Sequence, residues 1–78
     1  MKIKILELEK ILFDGDATKI ILPAIEGEMC ILPEHISIFT SLKKGAIKVF
    51  RPGIDKPVTI SVKSGVCSFS KNCAVCIL

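Results

Sequence analysis

Val58-Thr59-Ile60-Ser61-Val62-Lys63 is the cleanest alternation of apolar and polar residues in the chain. Successive side chains of a strand point to opposite faces, so this period of two sends Val58, Ile60 and Val62 inward and Thr59, Ser61 and Lys63 outward. Upstream, Arg51-Pro52-Gly53 reads as a type II turn, with proline presetting the first central residue and glycine supplying the positive φ of the second. Ala46–Phe50 precedes it as a returning strand. Downstream, Ser64-Gly65 bends the chain into Val66–Phe69, and Lys71-Asn72 makes a last turn before Cys73–Leu78.

The N-terminal third follows the same grammar. Lys2-Ile3-Lys4-Ile5 alternates, and so does Leu6-Glu7-Leu8-Glu9, but the apolar phase slips by one between them. A strand that swaps faces needs a bulge, which we place near Ile5-Leu6. Ile11-Leu12-Phe13 reads as a brief strand ended by a turn at Asp14-Gly15-Asp16. Ala17–Leu22 follows, with Ile20-Ile21-Leu22 covered on both faces. No stretch holds the i, i+3, i+4, i+7 spacing of an amphipathic helix over three turns. The expected fold is therefore all-β: a small β-sandwich or flattened barrel of about eight to ten short, mostly antiparallel strands, formed as one domain over residues 1–78.

Between these regions lies Leu22–Gly45, where two Leu-Pro pairs, Leu22-Pro23 and Leu32-Pro33, bracket an acidic segment. Proline lacks the backbone N–H and biases the preceding residue to extended geometry, so each pair is expected to close a strand. Glu26-Gly27-Glu28 reads as the turn between them, holding two carboxylates at an exposed tip. His35, the only histidine, follows the second proline. Ile36–Leu42 is extended, and Lys43-Lys44-Gly45 turns the chain, with Gly45 expected in a left-handed conformation.

Composition narrows the function classes. The 78 residues carry a net charge of +3, half are hydrophobic, and there is neither Trp nor Tyr. No apolar run approaches the ~20 residues of a membrane span, and the charged start lacks the apolar core of a signal peptide. A cytoplasmic location is the simplest expectation. Charge is uneven: residues 1–39 balance at −3 and residues 40–78 at +6. A basic half raises nucleic-acid binding, but stacking aromatics and an arginine cluster are missing, and the lysines are spaced as a solvated strand face. Four cysteines, Cys30, Cys67, Cys73 and Cys76, include one close pair, Cys73-x-x-Cys76. Residues three apart on a strand face opposite ways, which spoils that pair as a chelate. Free thiols packed as small hydrophobes fit best, with an adventitious disulfide or a metal site as the alternatives.

Catalytic candidates are thin. A triad would have to use His35, no Gly-x-Ser-x-Gly surrounds a serine, and no glycine-rich loop leads into a helix. Glu26, Glu28 and Glu34 are close in sequence, but wet hairpin carboxylates lack the dry pocket that raises a general acid's pKa. No enzymatic activity, cofactor or metal is expected. The segment offers a shaped, charged edge suited to docking.

Glu26-Gly27-Glu28, then Ile31-Leu32-Pro33-Glu34-His35, then Leu42-Lys43-Lys44-Gly45 resembles the signature region of the F-type ATP synthase epsilon subunit. Leu12-Phe13-Asp14-Gly15 with Ala17, and Ser64-Gly65-Val66, are similar to the family's flanking segments. The resemblance implies a non-catalytic rotor subunit whose β-sandwich joins the gamma subunit to the polar loops of the membrane ring of c subunits. It would couple proton translocation to ATP synthesis and reach the alpha/beta catalytic head only indirectly. It would sit peripherally on the cytoplasmic face of the membrane. By the same resemblance Glu26, Gly27, Glu28 and His35 would face the c-ring, with Glu28 the foremost contact. Two departures stand out: Cys30 replaces a usual glycine, and the family's C-terminal helical hairpin lies beyond the last residue here. A free-standing β-sandwich module binding some other protein is the alternative.

Overall fold

The alternation at Val58–Lys63 becomes a strand whose Val62 is buried and whose Val58 and Ile60 are half-buried, while Thr59 and Ser61 face solvent. The computed structural model describes all of residues 1–78. It holds nine strands and no helix: β1 (Lys2–Glu7), β2 (Lys10–Asp16), β3 (Lys19–Ala24), β4 (Gly27–Ile31), β5 (Ile38–Leu42), β6 (Gly45–Phe50), β7 (Val58–Val62), β8 (Gly65–Ser70) and β9 (Cys73–Ile77). Neighbours run β2-β1-β9-β8-β5-β3-β6-β7, with β4 added on β3. Every pair is antiparallel except β1 with β9, which run parallel.

The sheet folds over on itself where β5 meets β3 through the single bridge Ala24–Leu42. One layer, β2-β1-β9-β8-β5, contributes Ile3, Ile5, Cys67, Phe69, Ala74 and Cys76 to the interior. The other, β4-β3-β6-β7, contributes Ile20, Leu22, Ile31, Ile47, Val49 and Val62, and the two sets form one buried cluster. This is the expected flattened barrel. No polar or charged residue is buried in it, although Arg51 Nε, just past the end of β6, is enclosed without a hydrogen-bond partner.

Several local expectations hold. The register slips between Ile5 and Leu6, at the expected place, but the extra residue is Leu12 of β2, and β1 keeps its phase with Ile5 inward and Leu6 outward. The Ile54 N–H donates to the Arg51 carbonyl at 3.3 Å around Gly53, whose φ is +70°, as a type II turn demands. Lys71 and Asn72 take φ of 51° and 59°, the two positive values of a tight hairpin whose twist matches its strands.

Others do not. Leu8-Glu9 is not strand but the β1–β2 turn, with φ of 46° and 65°, and Leu8 is left 92% exposed. Neither residue type announces such a turn; the pairing of β1 with β2 imposes it. Asp14-Gly15-Asp16 is not a turn but the end of β2, paired with Lys4, Ile3 and Lys2. As a solvated edge strand, β2 tolerates these residues, and Asp16 meets Lys2 at 3.2 Å. Pro23 does not end β3, which runs on to Ala24. Its missing N–H falls where β3 passes from β6 to β5 as neighbour, so no ladder bond is lost there. Gly45 is not left-handed. It is small because a Cβ there would lie 2.8 Å from the Pro23 Cβ.

Gly65 shows the same close approach more sharply. Its φ is +156°, and a Cβ would meet the Ile77 carbonyl oxygen at 2.5 Å and the Leu78 Cα at 3.0 Å, both backbone atoms that cannot swing away. Gly65→Ala is expected to push β8 from β9 and destabilise the fold by roughly 1–3 kcal/mol. Urea unfolding checks this: a midpoint equal to that of the parent chain would refute the tight packing.

Candidate docking surface

The acidic hairpin is held from its flank. The turn falls at Ile25-Glu26, and Gly27 enters β4 with φ of +134°. The Ile25 N–H donates to the Ser41 carbonyl and the Lys43 N–H to the Pro23 carbonyl, both at 2.9 Å. These two bonds pin the tip to the end of β5. Glu26 and Glu28 are exposed, and the chain's only ion pair is Lys2–Asp16, so both carboxylates are free for a cation from outside.

β4 pairs only with β3, and β5 touches β3 only at its end, so a groove of about 670 Å³ opens between β4 and β5. Glu26, Gly27 and Glu28 line one wall, and Phe39, Thr40 and Ser41 the other. Phe39 is 72% exposed. Its exposure was legible: it shares strand phase with Ser37 and Ser41, not with Ile38 and Leu42.

His35 is not part of this groove. It follows β4 at the end opposite the acidic turn. The His35 N–H donates to the Leu32 carbonyl at 3.1 Å, closing a turn through Pro33 and Glu34, whose φ is +65°. The Glu34 N–H donates to Asn72 Oδ1 at 2.8 Å, which ties this loop to the β8–β9 turn. His35 Nδ1 lies 2.8 Å from the Ile36 carbonyl, so Nδ1 carries the proton and donates. Its ring stands edge-on to Phe69, 6.2 Å between centroids. The four residues singled out from sequence therefore split: Glu26, Gly27 and Glu28 share the groove, and His35 braces the far loop. No acid–base pair is assembled from them.

A second surface with exposed aliphatics is the kind the resemblance implies for the gamma-facing side, but the sequence named none of its residues. On the outer side of the β2-β1-β9-β8 layer, cross-strand register lines up Ile11, Leu6, Ile77 and Val66 in one row. Val75 and Phe39 fall in the next row, with Lys4 and Ser68. Ile11 and Ile77 are 54% and 53% exposed. The residues come from five strands, so only the register brings them together. With Val75 and Phe39 in the next row, this apolar stretch on the outer sheet face is a candidate docking surface.

The cysteines divide. Cys73 is exposed and Cys76 buried, on opposite faces of β9, so they cannot chelate together. Cys67 and Cys76 pack in the core as small hydrophobes, but Cys30 and Cys73 face solvent, contrary to that expectation. In the edge strand β4, positions Glu28 and Cys30 take the outward phase, and nothing covers them.

Comparison with known proteins follows the same lines. The sequence model of the ATP synthase delta/epsilon chain beta-sandwich domain matches residues 1–78. The ATP synthase epsilon chain of Pelagibacter ubique is 44% identical over 73 residues, 91% of this chain and 54% of that protein. The epsilon chain of Neisseria meningitidis serogroup C is 35% identical over 66 residues, 85% of this chain and 47% of that protein. The chain thus spans about half the length of the curated relatives it matches. In fold, it is similar to a chain of the Euglena gracilis mitochondrial ATP synthase, with a TM-score of 0.88 over 96% of this chain and 48% of that one, at 17% identity. A chain in the central stalk and c-ring structure of the Tetrahymena thermophila enzyme gives 0.80 over 97% of this chain and 60% of that one, at 15% identity. With its nine-stranded barrel and an unbroken match from first residue to last, this chain belongs to the ATP synthase delta/epsilon chain beta-sandwich family.

Proposed function

We propose that this chain is the β-sandwich portion of a non-catalytic central-stalk subunit of an F-type, proton-transporting ATP synthase. In this reading it stands between the gamma subunit and the ring of c subunits, turns with both, and helps couple proton flow to ATP synthesis. The observation that carries the reading is the family match across all 78 residues. Two features of the molecule support it.

The first is the unpaired acidic lip. Glu26 and Glu28 project from a hairpin whose tip is pinned by two backbone bonds, so a cation on the ring's polar loops would meet preplaced carboxylates. Such a contact sets register and orientation more than raw affinity. The second is the apolar row Ile11–Leu6–Ile77–Val66, which we assign to the gamma subunit because it offers area without charge. The closely packed interior behind it suits torque transfer, since packed cores deform little. His35 would act through the loop it braces. The alpha/beta head would be reached only through gamma. No helix of the chain is long and apolar enough to cross a membrane, and the membrane association in this reading is peripheral, through the ring.

Two substitutions separate the surfaces. Glu28→Lys in the assembled complex is expected to leave folding and gamma binding intact while proton-driven ATP synthesis in membrane vesicles drops roughly three- to tenfold, the scale of one exposed pair lost and a repulsion gained. Unchanged synthesis would remove Glu28 from the ring contact. Ile77→Asp should do the reverse. Its side chain is already half in solvent, so circular dichroism should match the parent, while co-purification with gamma falls about tenfold or more, as expected for a charge set into an apolar contact. Full retention of gamma by that variant would move the interface elsewhere.

A further inference from the structure

Cys67 on β8 and Cys76 on β9 are direct cross-strand partners. Both side chains point into the core, fully buried, in an interior row with Ile5 and Thr40. Their sulfurs lie 2.8 Å apart, with the Cys76 thiol donating to the Cys67 sulfur. Directly opposed residues of an antiparallel pair hold their Cα atoms about 4.5–5.5 Å apart, inside the window of roughly 4.4–6.8 Å that a disulfide requires. A bond would therefore form with little backbone movement. Cys30 and Cys73, by contrast, are exposed.

We propose that Cys67 and Cys76 are a redox pair that a peroxide converts from two thiols into one intrachain disulfide across β8 and β9. The two thiols are not equivalent. The bond donated by Cys76 holds the Cys67 thiol below its ordinary value, against the opposing effect of burial. The same bond, with burial, pushes the Cys76 thiol far up. Cys67, whose sulfur accepts the Cys76 S–H, is taken as the attacking sulfur. Its thiolate takes one oxygen from hydrogen peroxide, the O–O bond breaks, and hydroxide leaves, giving a sulfenic acid. The Cys76 sulfur then attacks that sulfur, the S–O bond breaks, and water departs as the S–S bond forms. Two thiols and one peroxide yield one disulfide and two waters. Burial restricts the oxidant to a small molecule reaching the pair through brief opening of the sheet. The product locks β9, the only strand through which the β1–β2 hairpin joins the rest of the sheet.

The test uses the full chain carrying Cys30→Ser and Cys73→Ser, so that only the proposed pair can react. After hydrogen peroxide and then alkylation in denaturant, the expected mass is that of the unalkylated chain less two hydrogens. Proteolysis should give a peptide joining Cys67 to Cys76, and dithiothreitol should restore both thiols. Two alkylated cysteines, after an exposure that fully oxidises the same chain in urea, would overturn the proposal. So would sulfinic acid or an intermolecular crosslink as the main product. Adding Cys76→Ala should let Cys67 accumulate as a sulfenic acid trapped by dimedone, whereas Cys67→Ala should leave Cys76 unmodified. The opposite pattern would reverse the assigned order.

Discussion

The pairing of the last strand with the first is the constraint on which the rest depends. β9 runs parallel to β1 and antiparallel to β8, and the Leu78 N–H donates to the Leu6 carbonyl at 2.8 Å. Without β9, the β1–β2 hairpin would have no strand neighbour, and Ile3 and Ile5 would lose the Ala74 and Cys76 beside them in the core. A two-stranded hairpin is marginal in water, so this segment takes its order from the residues farthest from it in sequence. The consequence for folding is a high share of non-local contacts, the topology that delays closure until the chain ends meet.

Closure also decides what the molecule presents. No polar or charged residue is buried in the interior, and charge lies on the turns and on the outward faces of the strands. The acidic lip on β4 and the apolar row across β2, β1, β9 and β8 lie on separate elements. A body with two such surfaces, backed by one continuous core, is suited to standing between two partners. The family to which it belongs is that of ATP synthase delta/epsilon chain beta-sandwich domains, and the two surfaces give the proposed stalk role separate, testable contacts. The groove between β4 and β5 follows from the same arrangement: β5 leaves β3 after one bridge, which frees the wall that carries Phe39 opposite Glu26 and Glu28.

His35 shows that neighbours in sequence need not line the same groove. It stands seven residues beyond Glu28, and the family resemblance grouped it with the acidic tip. β4 intervenes as an extended strand and carries His35 to the opposite end of the barrel. There its neighbours, Phe69 and the loop held by Asn72, come from β8 and the turn after it. A similar effect produced the core dithiol. Cys67 and Cys76 are unremarkable in sequence, and the tight turn at Lys71-Asn72 sets the register that opposes them.

The sequence by itself determined the strands and the faces they bury, because a period of two is a local property that a pleated backbone converts directly into inside and outside. Val58, Ile60 and Val62, the place of the register slip at Ile5-Leu6, the Arg51–Ile54 turn and the acidic tip were all legible for that reason. Only the tertiary structure decided which strands became neighbours. Register set the apolar row from Ile11 to Val66, the sulfur pair, the continuation of β3 through Pro23, and the need for glycine at positions 45 and 65. Each of these depends on atoms brought together from distant segments, and no local pattern encodes a distance between strands that have yet to meet.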